Sequence, residues 1–494
     1  MTKTRTARPA ATKKASKTAQ PAPHLKRIHE KPAPDAQVLG ARISRRAADR
    51  LRSGHLWVYA SDIESLALPE SEPPEGGPPA ILPVADSRGL LLGTALYSPT
   101  SQIALRMVSR EAISEAQWLE LLETRLRAAI RRRKPLLDER NDACRLCFSE
   151  ADELSGLVVD KYGELVILQI LAKGLDSAAV REICVRVLRD ELSLAAILER
   201  PDPRVRELEG LAAPSPEPLF VAESEKHTSG AKARAKQSSD TARLKSCPDA
   251  SDDSQSHISA ACKALPNQDV STQFRLNGLV FEYDANSGQK TGAFLDQRAN
   301  YAAAAEWARR MGLANRDGGG RALDVCCYQG GFALHLAEVC AQVTGIDASR
   351  ASLEVAERNL AANRSRLTAQ VEWVEGDAFQ ILRDWSEAGE KFDAIVLDPP
   401  AFAKSLRAVE GALRGYKELN LRALKMLRPG GLLVTCSCSH HVGWAELEAS
   451  VTAAAADAHR RVRLLERRGA ALDHPVVLNL PETEYLKCLV LEVE

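Results

Sequence analysis

The chain has 494 residues, 45% of them hydrophobic and 27% charged, with equal numbers of acidic and basic side chains. That length exceeds one ordinary domain and that composition builds sizeable cores, so two to four globular domains are expected. No apolar run approaches the roughly 18 residues of a membrane span, no apolar signal core follows the basic N-terminus, and the eleven cysteines show no regular framework, so a reduced, cytoplasmic protein without a membrane partner is expected.

Residues 1–36 read as a disordered basic arm. Between Met1 and Lys31 nine Lys or Arg stand against one acid, among Ala, Thr and Pro. Such an arm either solubilises the chain or attracts phosphate in a salt-sensitive way that carries no sequence specificity. Residues 37–112 are short and strand-like, with turn signals in "GHLWVY" and "ADSRGLLLG" and a loop at "LPESEPPEGGPP". Residues 113–208 open with helical spacing in "ISEAQWLELLETRLRAAIRRRKPLL". Its "RRRK" end suits a solvated helix face better than a phosphate site. "CRLCFSEADELSGLVVDKYGELVILQIL" predicts two strands around a turn and "AAVREICVRVLRDEL" a helix, together a small α+β domain. Cys144 and Cys147 form a C-x-x-C without a second pair, so packing is favoured over zinc. Residues 209–270 turn to Ser, Ala, Pro, Asp, Lys and Gln with little periodicity, a low-complexity insertion. His227, Cys247, His257 and Cys262 fall in it without ligand-like spacing.

Residues 271–494 alternate between strand and helix. The strands are predicted at "ALDVC", "VTGID", "VEWVEGD", "FDAIVLD" and "LLVTCS", with a turn at "RPGG" and two closing strands near 462–466 and 486–491. Repeated strand–helix units imply a mostly parallel sheet covered on both faces, with the ligand beyond the carboxyl ends of its strands. Polar residues gather there. Asp324, the turn at Gly330 and Gly331, and Asp347 suit a nucleotide-type ligand, with the acid ending the second strand accepting from ribose hydroxyls. Asp377 suits an exocyclic amino group. Singly, each reads equally as a tight turn or a helix cap. The G-x-G-x-x-G fingerprint of dinucleotide enzymes is absent. In "DPPAF" two prolines turn the backbone away and leave Asp398 over the pocket, and Phe402 can stack on a planar base.

With those residues in place, the chain from about Leu39 onward resembles the RlmI-type class I S-adenosylmethionine-dependent methyltransferases, which make 5-methylcytosine in large-subunit rRNA. The stretches that carry the resemblance are "SGQKTGAFLDQRANY", "LDVCCYQGGFALHLA", "DPPAFAKS", "GYKELNLRALKMLRPGG", "TCSCS" and "DHPV…PETEYLK". It implies an α/β protein with an N-terminal β-rich PUA-like domain that contacts RNA, a small central α+β domain and a C-terminal Rossmann-like catalytic domain. It also implies S-adenosyl-L-methionine as cofactor, large-subunit rRNA as partner, and Gln289, Lys290, Phe294, Asp296 and Arg298 near the cofactor; no metal is expected from the cysteine and histidine spacing. A second copy of the chain is a further candidate partner. The basic arm and the insertion depart from the family pattern.

A cysteine is needed because cytosine carbon-5 is a poor nucleophile until a thiolate adds at carbon-6. An ordinary thiol titrates near pKa 8.5, so a following helix N-terminus or the cationic cofactor is expected to raise the thiolate fraction. The resemblance puts Asp398 at the N3 and amino edge of the base. Its "SCS" pattern selects Cys438, whereas the "TCS" pattern of a different group of RNA cytosine-5 methyltransferases would select Cys436. Strand alternation puts both on one side if the strand persists that far. Zinc binding with His440 and His441 has poor spacing. Two rival readings remain: a base-nitrogen RNA methyltransferase, which needs no thiol, and a non-catalytic RNA-binding assembly protein.

Overall fold

The computed structural model describes residues 39–68, 80–200, 202–215, 217–222, 271–284, 292–403 and 405–494. The basic arm, the insertion from 223 to 270 with its two histidines and two cysteines, and Gln289 and Lys290 lie outside the described residues.

The alternating C-terminal sequence folds around a seven-stranded sheet. Numbered along the chain, its strands are β1 Arg321–Val325, β2 Gln342–Asp347, β3 Gln370–Glu375, β4 Phe392–Leu397, β5 Leu427–Ser437, β6 Val462–Arg468 and β7 Lys487–Val493. Their spatial order is β3-β2-β1-β4-β5-β7-β6. The first five run parallel, and β7 is antiparallel to both β5 and β6. Alternate residues feed two cores. Ala322, Val434 and Cys436 pack with helices Arg298–Arg310, Gly331–Leu336 and Arg350–Ala362. Leu323, Val325 and Leu433 pack with helices Ala378–Ala388, Val409–Met426 and Trp444–Asp457. Both faces are covered, as parallel strands require. Chain order reverses between β1 and β4, and there the crevice opens.

The "RPGG" segment, expected as a turn before the strand, is part of β5. Pairing with β4 jumps from Phe392–Leu427 to Ala394–Leu432, and Gly430 at φ +68° absorbs the surplus residues.

The N-terminal domain is a six-stranded sheet with helix Arg45–Arg52, closed over Ile43, Leu51, Val58, Val84 and Leu105. The central domain differs from expectation in two ways. Its sheet has Ala143–Phe148, Leu157–Tyr162 and Leu165–Ile170 where two strands were expected, because the turn at Ser149–Asp152 splits the long apolar stretch. Phe220–Val221, inside the expected insertion, pairs with Ala196 and Ile197, so this domain runs past residue 208. Two residues are too few to register as periodicity.

Cys144 and Cys147 are fully buried in the central core, and among the described residues no His, Cys, Asp and Glu cluster is fit to hold a metal. Three of the four side chains of the "RRRK" end are exposed, as a solvated face requires, and all four are ion-paired. Arg131 and Lys134 meet Glu191 at 2.8 and 2.9 Å, and Arg132 and Arg133 both meet Asp152 at 2.8 Å.

The three domains share walls. Trp57 Nε1 donates to Glu150 of the central domain at 3.1 Å, and His55 lies 3.0 Å from Glu482 of the catalytic domain. The hairpin Ser271–Leu276 and Leu279–Asp284 places Phe274, Phe281 and Tyr283 in one core with Tyr162 and Tyr301.

Candidate active site

A cavity of about 310 Å³ opens at the carboxyl ends of β1, β2, β4 and β5. Beyond β1 the chain passes through Cys326, Cys327 and Tyr328, all of which line it. Cys326 at φ 63° and Tyr328 at φ 50° hold left-handed backbone without being glycine, at a cost of about 1–3 kcal/mol each. Asp347 offsets part of this cost by tying two loops together. Its Oδ2 accepts from the Tyr328 N–H and its Oδ1 from the Ser349 N–H, both at 2.9 Å. Each oxygen retains a further lone pair, so the carboxylate can still accept from a ligand in the cavity. Asp377 also lines the cavity while capping helix Ala378–Ala388 through Gln380 N at 3.0 Å. The cap and ligand readings coexist there.

On the opposite wall β4 ends in Asp398, Pro399 and Pro400, all lining residues. Gln297 Nε2 donates to Asp398 Oδ1 at 3.0 Å, and Asn300 Nδ2 fixes Gln297 by donating to its Oε1 at 2.7 Å. Phe402 faces the cavity and rests on Tyr416 and Phe379, with ring centroids 4.9 and 5.9 Å apart.

The two cysteines of "TCSCS" part company because β5 ends at Ser437. Cys436 is fully buried and lies in the core with Cys488, its cross-strand partner. Contact with Cys488 and burial push its thiol well above the usual range. Cys438 lies past the strand end, lines the cavity, and its Sγ is 3.9 Å from the Pro399 carbonyl. The serines on either side hold the segment. Ser437 Oγ donates to the Tyr416 hydroxyl at 2.9 Å, Tyr416 and Ser439 share a hydrogen bond at 3.0 Å, and Ala403 N donates to Ser439 Oγ at 3.1 Å. Both serines are buried and hydrogen-bonded, and Cys438 between them lines the cavity.

Three expected positions are corrected. Arg298 is not a lining residue. It is buried, donates to the Ala143 carbonyl at 2.8 Å and lies 3.4 Å from Asp473, so it joins domains instead of holding a ligand. Gly330 yields its place to Gly331, which does line the cavity. Gly330 caps the helix at φ +84°, and a Cβ there would lie 2.8 Å from the Trp373 ring. Asp324 is fully buried behind the cavity wall, with Oδ2 accepting from Ala333 N at 2.8 Å. Burial, reinforced by the charges of Asp398 and Asp347, pushes its carboxyl well above the usual carboxylate range.

Sequence reasoning missed Gln297, Tyr301, Tyr328, Phe379 and Leu486, all lining residues. Phe294 and Asp296 also line the cavity, and Asp296 Oδ2 accepts from the Tyr485 hydroxyl at 2.6 Å. The one signal for Gln297 was its place in "GAFLDQR", next to two residues that had been singled out.

Comparison with known proteins bears on this geometry. Residues 41–110 match the PUA-like domain family and residues 316–469 a methyltransferase domain family. The chain is 32% identical over 438 residues to ribosomal RNA large subunit methyltransferase I of Tolumonas auensis, covering 88% of this chain and 94% of that protein. It is 31% identical over 442 residues to the protein of the same name from Photobacterium profundum, covering 88% and 95%. The solved structure of SMU.776 complexed with SAH shares the fold, with a TM-score of 0.66 at 16% identity over 92% of this chain and all of that one.

Proposed function

The chain belongs to the ribosomal RNA large subunit methyltransferase I family, and on that premise we propose that it forms 5-methylcytosine in large-subunit rRNA, with Cys438 as nucleophile and S-adenosyl-L-methionine as methyl donor. The observation that supports this reading most directly is that the Cys438 thiol, the Asp398 carboxylate and the Phe402 ring all face one cavity, while Cys436 is sealed against Cys488.

The cavity's chemistry fits the cofactor. Asp347 offers acceptors for ribose hydroxyls and Asp377 for an exocyclic amino group, while Phe294, Phe332 and Ile346 give apolar walls. When bound, S-adenosyl-L-methionine supplies an electrophilic methyl group on a sulfonium. The chain's own residues then activate the base. Phe402 stacks on the pyrimidine, and Asp398, steadied by Gln297, accepts from its amino group and, carrying a proton taken up from water, donates to N3 as the thiolate adds. The Cys438 thiolate adds to carbon-6, which makes carbon-5 nucleophilic. Once carbon-5 is methylated, its proton passes to a water acting as base and the carbon-6–sulfur bond breaks, releasing the Cys438 thiolate and restoring the ring. The PUA-like domain holds the RNA. A base-nitrogen methyltransferase would have no use for a thiol in this position.

The test uses RNA containing 5-fluorocytidine, whose fluorine cannot leave as a proton does. The full chain with the cofactor should form a denaturation-resistant protein–RNA adduct that Cys438→Ala abolishes and Cys436→Ala spares. An adduct that persists in Cys438→Ala would overturn the nucleophile. Methyl transfer to adenine or guanine without an adduct would overturn the cytosine reading.

A further inference from the structure

Lys487 opens β7 directly across the antiparallel pair from Ser437, where facing Cα atoms lie about 5 Å apart. Its side chain is buried, with the residue 3% exposed. Nζ donates to the carbonyls of Ser439 and Tyr485, both at 3.2 Å. Ser437 and Ser439 flank Cys438, so this ammonium is fastened to the segment that carries the thiol. Both of its acceptors are neutral, and among the described residues no carboxylate pairs with it. A buried cation without a directly paired carboxylate is costly. A fold that keeps one here gains when an anion forms beside it.

We propose that Lys487 is a positioning residue whose buried ammonium stabilises the thiolate of Cys438, an inference that rests on Cys438 being the nucleophile. The charges around the pair fit this role. The Asp398 carboxylate, on the neighbouring β4 end, opposes a thiolate at Cys438, and the Tyr416 phenol stands neutral behind the two serines. His440 is held below its ordinary pKa by burial first, with His441 and Lys487 adding to the effect and Glu482 opposing it, so near neutral pH it is uncharged. Burial lowers the Lys487 pKa, and the charges of Glu484, Cys438 and Glu446 act the other way, favouring its protonated form. The helix after Cys438 begins only at Trp444, whereas Lys487 sits across the strand pair from Ser437, the residue before Cys438. No covalent step is involved. The thiol proton passes to water and Lys487 keeps its own.

The experiment is the pH dependence of iodoacetamide alkylation at Cys438 in the full-length protein, read by mass spectrometry of the peptide carrying it. The wild-type midpoint is expected below the ordinary thiol value of about 8.5. Lys487→Met should raise it by about one pH unit, a tenfold loss of thiolate at fixed low pH, and Lys487→Arg should restore it. A wild-type midpoint at or above the ordinary value overturns the proposal, and this arm stands even if Lys487→Met fails to fold. An unchanged midpoint in a folded Lys487→Met protein also overturns it. A low, lysine-dependent midpoint without any 5-fluorocytidine adduct supports the lysine–thiolate pairing and overturns the cytosine reading, so the two failures are distinguishable.

Discussion

Replacing Gly331 by alanine probes the tightest point of the cofactor half of the cavity. A Cβ there would lie 2.4 Å from Tyr301 Cζ and 2.7 Å from its Cε1 and hydroxyl oxygen, far inside the roughly 3.5–4.0 Å of an ordinary contact. Tyr301 has little room to yield. It is buried, meets Phe332 edge-on at 4.7 Å between centroids and packs on His335 at 5.5 Å. The start of helix Gly331–Leu336 must therefore shift, and overpacking of this kind costs about 1–3 kcal/mol. Gly331, Phe332 and Tyr301 all line the cavity, so much of that strain should be felt by the ligand. The expected result is an affinity for S-adenosylhomocysteine at least about tenfold weaker, or ~1.4 kcal/mol, by calorimetric titration. Gly389→Ala is the control. Gly389 has φ +79° but nothing within 4 Å of its added Cβ, so it should cost only the ~1–2 kcal/mol of left-handed backbone and bind normally. Wild-type affinity in Gly331→Ala would refute the placement of the cofactor against this turn.

Two further outcomes concern stability. Arg298→Met removes one partner of a buried pair, and Asp473 keeps its bond from Arg145 N at 2.9 Å, so a loss of about 3 kcal/mol is expected in urea, with cofactor affinity of the folded protein unchanged; a tenfold loss of affinity would return Arg298 to the cofactor site. His335 is buried, its Nδ1 lies 2.7 Å from the Gly331 carbonyl and its Nε2 3.0 Å from Asn277 Nδ2, and burial lowers its pKa to about 4. The folded chain thus binds fewer protons than the unfolded one between that value and the ordinary 6.5, so this contribution is complete above pH 6.5 and lost as the pH falls towards 4. Wild-type stability should drop by about 2 kcal/mol more than that of His335→Gln between pH 7 and pH 5. Equal drops in the two proteins would show that His335 does not carry the acid limb.

Much of the catalytic domain was legible because strand and helix periods alternate cleanly there and because strand-end residues of a parallel sheet meet at one edge. Asp347, Asp377, Asp398 and Phe402 were found on that rule, and the cavity has all four on its walls. Local rules failed where a long-range contact decides. Whether Cys436 or Cys438 faces the cavity depends on β5 ending at Ser437, and that end is fixed by Tyr416, a residue some twenty positions upstream, gripping both serines. Arg298 was misjudged because it follows Asp296 and Gln297 at a turn into a helix, where the next side chain swings to another face. Gln297 was missed because its partner, Asp398, is 101 residues away. Cys326 and Tyr328 carry a positive-φ loop that sequence reasoning assigns to glycine.

The proposed catalysis runs through a covalent bond between Cys438 and cytosine carbon-6. Digestion of the 5-fluorocytidine adduct and fragmentation of the cross-linked peptide tests it most directly. The nucleotide mass should sit on Cys438 and leave Cys436 unmodified. A nucleotide on Cys436, or base methylation with no cross-linked peptide at all, would contradict it.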